Sequence, residues 1–409
     1  MPVLKPLAGV RIIDFTRHMS GPYATMVMGD FGADVVKVES LPNGDPSRAT
    51  GTFYVEGVST MFLTWNRNKR SIGIDLRNPE GVTIAQRLIA GADVVVENYT
   101  PSVADRIGIG YEKARELNPR IVYLSCSAFG SVGPWANRPG TDPVVQAISG
   151  VMSVTGERDG GPVLVGIPVA DFASAMINVQ AMLLGLMARD RSGEGQRIEA
   201  PMLAALALGL TTRVGAYFAT GENPVRWGSQ HSQVVPYQAF RTADGYAVAG
   251  AWDEKAWKPI CSLLGIPDIG NDERFDTNPK RVENRDEITE ILAARMVLKT
   301  TREWEKLFEE AGLLFAPVNT FSDVLESDHA KAMGLVEEFD HPVAGRIRTV
   351  APAIRMTRTP ADTLAAPPLL GQHTRAILAE TGYSGAEIDR LLAEGLVVET
   401  QVGGGSRAR

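Results

Sequence analysis

Residues 10–39, VRIIDFTRHMSGPYATMVMGDFGADVVKVE, place two short β-branched runs on either side of one helix-like stretch. Strands are predicted at Val10–Phe15 and Asp34–Glu39, and a helix is predicted from Gly21 to Phe31. Apolar strands that alternate with helices are typical of a parallel sheet covered on both faces. This stretch therefore predicts an α/β fold.

The same alternation continues through the first 125 residues. Further strands are predicted at Ser71–Asp75, Ala92–Glu97 and Ile121–Leu124, and a helix is predicted at Glu80–Ala90. Ligands of such sheets usually bind beyond the carboxyl ends of the strands. One ligand-binding edge is therefore expected to gather the loops at residues 16–22, 39–45, 98–101 and 125–134.

The clearest helix of the sequence begins near Asp171, because apolar residues then recur at steps of three or four. A second apolar helix is predicted from Met202 to Phe218. The composition changes at residues 221–224, GENP, which we take as a domain boundary. The first 222 residues are thus assigned to a large domain.

Beyond this boundary, residues 223–328 mix strand and helix patterns and are predicted to form a small α+β domain. The turn Asp244-Gly245 between two β-rich runs predicts a hairpin. From about His329 the chain is rich in proline and is predicted to be loop-rich and poor in strands. Residues 403–409 are predicted to be a disordered tail.

Composition excludes several classes of protein. The net charge is −7 over 409 residues, so binding to nucleic acid is not expected. Cys126 and Cys261 lie far apart, which argues against a disulfide framework and suits the cytoplasm. No signal peptide is visible, and the apolar stretches fall short of the roughly 18–20 residues that a membrane span needs.

Motif searches exclude the commonest catalytic sites. The five histidines are scattered without ligand spacing, so no metal site is expected. The nucleophile elbow, the dinucleotide fingerprint and the P-loop pattern are also absent.

One acidic residue stands out at a helix start. Asp171 is expected to cap the helix that follows it, where the helix dipole favours its ionised form. Such a carboxylate can attack an activated carbonyl and form an anhydride. An ordinary N-cap, without catalytic function, is the competing interpretation.

Several segments together resemble the class III coenzyme A transferases, the carnitine/formyl-CoA transferase family of the CaiB/BaiF type. The resemblance spans about residues 5–380. The matching segments are LAGVRIIDFT (7–16), GP (21–22), GADVVKVE (32–39), NRNKRS (66–71), DVVVENY (93–99), GSVGP (130–134), DF (171–172) and GEGQ (193–196).

The resemblance implies a covalent mechanism. Asp171 would attack the donor acyl-CoA thioester to give an aspartyl–acyl anhydride, and the released thiolate would then form an aspartyl–CoA thioester. The acceptor carboxylate would attack that thioester, and a second anhydride would pass CoA to the acceptor. Coenzyme A is then a substrate, and no permanently bound cofactor is expected.

The resemblance also assigns binding residues. Met19 and Ser20 match the loop over the pantetheine end of CoA. His231 is a candidate group at the acceptor site, or else a structural histidine. Residues that match CoA contacts are Ile74, Asp75, Leu76, Arg77, Asn98, Tyr99, Thr100 and Arg106.

The architecture implied by the resemblance is an interlocked homodimer. Each chain forms a ring threaded by its partner. A Rossmann-like large domain is built from both chain ends, residues 1–222 and 329–402, and the small domain lies between them in sequence.

Departures from the family pattern bear on the substrate. The stretch GSQHSQVVPY (228–237) lacks the glycine run of formyl-CoA transferase, so oxalate and formyl-CoA are not expected as substrates. Ser40 stands where formyl-CoA transferase has an arginine that contacts CoA. Racemases of this fold carry a catalytic histidine where this chain has Thr141, and threonine does not exchange an α-proton at neutral pH.

A CoA transferase that uses a donor such as succinyl-CoA and a small carboxylic acid acceptor is therefore preferred. The alternatives are an acyl-CoA racemase or isomerase and a non-catalytic acyl-CoA-binding protein.

Overall fold

The computed structural model of the protein describes residues 5–361 and 365–400. The chain forms two compact units. The first comprises the residues up to Gly150, Val165–Gly215 and the residues from Ala332 onward, and the second comprises Val151–Leu164 and Ala216–Lys331. The domain boundaries inferred from the sequence stay a prediction, and the predicted tail at 403–409 lies outside the described residues.

The strands are β1 (Arg11–Asp14), β2 (Asp34–Ser40), β3 (Tyr54–Val55), β4 (Val58–Ser59), β5 (Lys69–Ile74), β6 (Val94–Glu97), β7 (Val122–Ser125), β8 (Gln196–Glu199), β9 (Tyr237–Arg241), β10 (Tyr246–Gly250), β11 (Leu314–Pro317), β12 (Val336–His341), β13 (Gly345–Val350) and β14 (Val397–Val398).

The helices are α1 (Ser20–Asp30), α2 (Thr60–Thr64), α3 (Pro79–Ala90), α4 (Val103–Ile107), α5 (Tyr111–Leu117), α6 (Asp142–Ser149), α7 (Val169–Ser192), α8 (Met202–Gly209), α9 (Thr211–Thr220), α10 (Glu254–Leu263), α11 (Pro267–Gly270), α12 (Asn278–Glu283), α13 (Arg285–Met296), α14 (Thr301–Glu310), α15 (Phe321–Leu325), α16 (Asp328–Met333), α17 (Thr374–Glu380) and α18 (Gly385–Ala393).

The large sheet of the first unit has the strand order β14-β5-β2-β1-β6-β7-β8. β14 runs antiparallel to β5, and the other neighbours are parallel. With the parallel strands numbered along the chain, the order is 3-2-1-4-5-6, which reverses direction between β1 and β6. Ligands of such sheets bind in the crevice at that reversal. The predicted α/β class with a parallel sheet is confirmed.

Alternation along the strands divides the core of this unit into two layers. Ile13 of β1 packs with residues of α3, α17 and α18, whereas its neighbour Ile12 packs with residues of α1 and α7. Both isoleucines are completely buried. The sheet is thus covered on both faces, as its continuous apolar strands predict.

The second unit has its own core. β9, β10 and β11 form an antiparallel sheet, and the predicted hairpin around Asp244-Gly245 is confirmed. Trp257, Phe275 and Phe308 are buried among helices of this unit. This unit therefore folds around apolar contacts of its own.

Two predictions about secondary structure are wrong. The chain from about His329 onward is not poor in strands, because β12 and β13 form an antiparallel hairpin there. Its strands carry many charges, such as the Glu338–Arg346 pair, and so lack the apolar runs by which the other strands were found. The single helix predicted from Met202 to Phe218 is divided into α8 and α9, which are separated at Leu210 after Gly209.

Helix α7 is long and apolar enough, by length and composition alone, to cross a membrane. The expectation that every apolar stretch is too short for a membrane span is therefore wrong. Ala175, Met182 and Leu186 of α7 pack in the core beside the sheet, and core helices of soluble proteins pass the same test. The absence of a membrane partner therefore stays a prediction.

Candidate active site

A cavity of about 480 Å³ opens at the reversal of the large sheet. It lies where the predicted ligand-binding edge was expected, beyond the carboxyl ends of β1, β6 and β7. Met61, Trp65 and Met202 give its wall an apolar character. Its polar groups come from residues 17–20, 47–50, 98 and 141–142 and from Asp171.

Asp171 enters this cavity from the first turn of α7. The expectation that Asp171 itself caps the helix is wrong, since it is the third residue of α7 and makes no capping hydrogen bond. Asp142 takes that role, because its Oδ1 accepts hydrogen bonds from the backbone N–H groups of Ala170 at 2.7 Å and Asp171 at 3.2 Å.

The protonation of Asp171 also differs from the expectation. Its pKa is raised from 3.8 to about 6, chiefly by burial and to a lesser extent by the nearby carboxylate of Asp142. Hydrogen bonds from the backbone N–H and hydroxyl of Ser20 oppose this change. Desolvation of the charged form therefore outweighs the favourable field of the helix start.

Buried charges hold the loop that follows β1. The Lys69 ammonium lies 3.1 Å from the Asp14 carboxylate and donates to the carbonyl of Pro22 at 2.8 Å. Lys37 pairs with Asp45 at 2.8 Å and donates to the carbonyl of Thr16. The side chains of both lysines are completely buried on their strands. The ion pairs and hydrogen bonds of these lysines therefore hold the backbone of this loop in place.

His18 lies in the same loop and lines the cavity. Its φ is 66°, in the left-handed region that residues with a Cβ rarely adopt, and its backbone N–H donates to Asp45 at 3.2 Å. Burial lowers the pKa of its imidazole, although Asp45 opposes the shift. The ring is therefore mostly neutral at pH 7.

Of the site residues predicted from the sequence, Met19, Ser20, Asn98 and Asp171 line this cavity. Their roles stay a prediction. Tyr99 and Thr100 line a separate polar cavity near Glu97, whose pKa is raised by burial.

The other predicted CoA contacts lie outside this cavity. Ile74 and Leu76 are buried in the core, and Arg77 forms an exposed pair with Asp75. Arg106 donates to the hydroxyl of Ser102 at 3.3 Å on α4. A CoA contact at Ile74 or Leu76 would have to involve the backbone.

His231 belongs to the second unit. Its Nδ1 accepts hydrogen bonds from the backbone N–H groups of Gln233 and Val234 at 3.2 and 3.1 Å, and its ring packs against Tyr237 and Trp252. These contacts fit a structural histidine. Its role at an acceptor site stays a prediction.

Sequence analysis missed Arg17, His18 and Asp142 as residues of the site. The first two lie in the loop at residues 16–22, which the sequence places at the ligand-binding edge, so that position was a signal that could have found them. Asp142 lies 29 residues before Asp171. Only the folded chain brings it to the start of α7.

Within residues 5–361 and 365–400, no group of three or more His, Cys, Asp or Glu is placed to hold a metal ion. The cavity offers the partly buried carboxylate of Asp171 beside the hydrogen-bond donors of Ser20. That combination suits covalent transfer of an acyl group.

The sequence profile described as CoA-transferase family III matches residues 7–374. The chain belongs to CoA-transferase family III. The resemblance inferred from the sequence is thereby confirmed, and this family III chain is an enzyme of CoA transfer.

Individual relatives agree with this assignment. Succinyl-CoA:glutarate CoA-transferase of Mus musculus is 40% identical to the family III enzyme over 395 residues, which cover 96% of this chain and 91% of that protein. Succinate–glutarate CoA-transferase of Agrobacterium fabrum is 36% identical over 390 residues, covering 93% of this chain and 97% of that protein.

A solved structure shares the fold of the family III enzyme. The crystal structure of a CaiB/BaiF family protein from Brucella suis superposes with a TM-score of 0.83 at 34% sequence identity. The match covers 92% of this chain and 99% of that one.

Proposed function

We propose that the enzyme moves CoA from succinyl-CoA to a small dicarboxylic acid such as glutarate, with Asp171 as the nucleophile. The observation that carries the proposal is the partly buried Asp171 carboxylate, with its raised pKa, in a cavity at the reversal of the sheet. The names of the relatives in mouse and Agrobacterium fabrum support the choice of acids.

The proposed reaction begins with attack of the ionised Asp171 on the thioester carbonyl. The C–S bond breaks, an aspartyl–acyl anhydride forms and CoA leaves as a thiolate. The thiolate attacks the aspartyl carbonyl, which releases the donor acid and leaves an aspartyl–CoA thioester. The acceptor carboxylate attacks this thioester, the C–S bond breaks, and a second aspartyl–acyl anhydride and the CoA thiolate form. The thiolate then attacks the acyl carbonyl of that anhydride, which gives the new acyl-CoA and returns Asp171 as a carboxylate.

Burial of Asp171 serves this chemistry in two ways. A carboxylate with a raised pKa is a stronger nucleophile when it is ionised, and at pH 7 the ionised form still predominates. The apolar wall of Met61, Trp65 and Met202 limits access of water, which would hydrolyse an anhydride. The N–H and hydroxyl of Ser20 are placed to stabilise charge on the carboxyl group.

The proposal keeps the CoA contacts implied by the family. Met19 and Ser20 would lie along the pantetheine arm, since both line the cavity of Asp171. Residues 74–77, 98–100 and 106 would hold the nucleotide end. The charged side chain of Arg106 is exposed on α4 and therefore accessible to a phosphate.

We also propose a homodimer. Leu184 and Met187 of α7 are exposed, and together with Leu208 of α8 they line an apolar groove. No residue of α9 is buried, and the apolar side chain of Phe218 in this helix is 78% exposed. Exposed apolar surface of this extent is typical of an interface, and a second copy of the chain, interlocked as in the family, would cover it.

The remaining expectations belong to the same proposal. They are a cytoplasmic location, no nucleic-acid or membrane partner, no permanently bound cofactor, and a large domain formed by residues 1–222 and 329–402 with a small domain at 223–328.

Chemical trapping tests the mechanism. The protein is incubated with succinyl-CoA and then with hydroxylamine, and the peptide that contains Asp171 is examined by mass spectrometry. A hydroxamate at Asp171 is expected. Tight CoA binding without any modification would instead support the non-catalytic acyl-CoA-binding alternative.

One observation favours the racemase alternative: a neutral imidazole, that of His18, lines the cavity. The position of the racemase histidine itself is occupied by Thr141. Exchange at the α-carbon of a 2-methylacyl-CoA in deuterium oxide distinguishes the two reactions. Deuterium uptake without CoA transfer would contradict the transferase proposal. A panel of acids offered with succinyl-CoA then identifies the acceptor.

A further inference from the structure

A continuous chain of hydrogen bonds runs from α6 to the nucleophile. Gln146 accepts a hydrogen bond from the backbone N–H of Val165 at 3.0 Å and donates from Nε2 to Oδ2 of Asp142 at 2.6 Å. Oδ1 of Asp142 then accepts from the backbone N–H groups of Ala170 and Asp171. The side chains of Asp142 and Gln146 are one turn apart on α6 and are both buried.

We propose that Asp142 and Gln146 are positioning residues for the transfer reaction, which set the place and the charge environment of the Asp171 carboxylate. This inference rests on the proposed role of Asp171. Neither residue is proposed to form a bond with the substrate.

The geometry explains why the pair would be needed. The first backbone N–H groups of a helix have no partner within the helix, and α7 begins at Val169 after Pro168, which supplies no side-chain cap. Asp142 satisfies two of those groups from another helix. Gln146 fixes the orientation of Asp142 and ties down the segment that leads into α7, so that both ends of this segment are held.

The charge of Asp142 acts on the nucleophile directly. Two carboxylates at one helix start cannot both be ionised without repulsion, and this repulsion adds to the effect of burial on the pKa of Asp171. Besides the two aspartates, the titratable groups that line the cavity are Arg17 and His18 beyond β1 and Cys126 beyond β7. The uncharged polar groups of the lining include Ser20, Ser47, Thr50, Asn98 and Thr141. α8 contributes the uncharged Met202.

Asp142→Asn separates charge from geometry, because an asparagine Oδ1 still accepts from both backbone N–H groups. Its Nδ2, however, faces the Nε2 of Gln146. Both groups are donors, so the hydrogen bond between the two side chains is lost. In Asp142→Asn/Gln146→Glu, a glutamate can accept from both Asn Nδ2 and the N–H of Val165. The double variant therefore restores the hydrogen-bond chain with reversed polarity and moves the negative charge away from Asp171.

The measurement is the pH dependence of kcat/KM with succinyl-CoA. The acid limb of this profile is the fall of kcat/KM at low pH. In Asp142→Asn we expect it to move to lower pH by at least about 0.5 unit. The double variant is expected to keep that shift and to recover kcat relative to Asp142→Asn. A third variant, His18→Gln, is expected to leave the acid limb in place, since the limb is assigned to Asp171.

An acid limb that stays at the wild-type pH in both variants of Asp142 would overturn the proposal. So would a limb that moves as far in His18→Gln. Trapping of wild-type Asp171 separates the two levels of argument. If the wild-type hydroxamate forms and the limb does not move, only the positioning role fails, whereas absence of the hydroxamate refutes the proposed function itself.

Discussion

The carboxamide of Asn98 binds both backbone polar groups of Arg17. Its Oδ1 accepts from the Arg17 N–H at 3.0 Å, and its Nδ2 donates to the Arg17 carbonyl at 2.7 Å. The guanidinium of Arg17 lies 4.9 Å from the ring centre of Tyr99, the residue after Asn98. The loops that follow β1 and β6 are thus joined across the reversal of the sheet, next to the cavity.

Asn98→Ala is expected to raise the KM for succinyl-CoA more than it lowers kcat, because the loop with Met19 and Ser20 loses its attachment. The loss of stability should be about 1–3 kcal/mol. Asn118→Ala is the matched control. Asn118 also binds two backbone groups, at Ala92 and Arg120, but does not line the cavity. Equal KM values in the two variants would contradict the proposed role of the loop.

Asp171→Ala is expected to abolish transfer while CoA affinity stays within about tenfold, or roughly 1.4 kcal/mol. The reason is that the carboxylate is required for the covalent step and not for holding the nucleotide. Steady-state assays and calorimetric titration with CoA measure the two quantities. Asp190→Ala removes an exposed carboxylate of the same helix and should retain activity. Full activity of Asp171→Ala would refute the mechanism.

Asp171→Asn is expected to stabilise the protein at neutral pH. Because the folded-state pKa is about 6 against an ordinary 3.8, the folded state binds more protons between these values, and stability falls as the pH rises through that window. Above it the ionised side chain costs about 2–3 kcal/mol. Urea unfolding should therefore show a gain for Asp171→Asn at pH 8 that disappears near pH 4. A gain that does not depend on pH would contradict the assignment.

Lys69→Met is expected to destabilise the first unit by about 3–5 kcal/mol, since it leaves the buried Asp14 carboxylate without its nearest cation. Lys306→Met removes an exposed lysine paired with Glu310 at 3.8 Å and should cost less than about 1 kcal/mol. Denaturant unfolding followed by far-UV circular dichroism compares the variants. Similar losses in both would show that burial of the Lys69 pair has little effect.

Gly185→Ala is expected to loosen the contact of α7 with the sheet. An added Cβ would lie 2.6 Å from Cγ1 of Val122 and 2.7 Å from Cδ1 of Ile198, so α7 or the strands must shift, at about 1–3 kcal/mol. Gly385→Ala in α18 meets no atom within 4 Å of its Cβ and should be neutral or stabilising by up to about 1 kcal/mol. Thermal unfolding measures both, and a stabilising Gly185→Ala would contradict this packing.

The parallel sheet could be predicted because its strands are nearly continuous apolar runs. Val35, Val36 and Val38 of β2, for example, are all buried, so the pattern needs no knowledge of neighbours. The hairpin of β12 and β13 could not be found in this way. Its stability depends on cross-strand pairing of charged residues, and that pairing exists only after the strands meet.

The sequence by itself determined the α/β class, the position of the ligand-binding edge and the choice of Asp171, because each depends on residues close together in the chain or on segments that match a family. Only the tertiary structure decided the pKa and the hydrogen-bond partners of that carboxylate. Asp142 caps its helix, Ser20 donates to it, and burial raises its pKa against the helix dipole. These effects depend on distances between residues far apart in sequence, which local patterns do not contain.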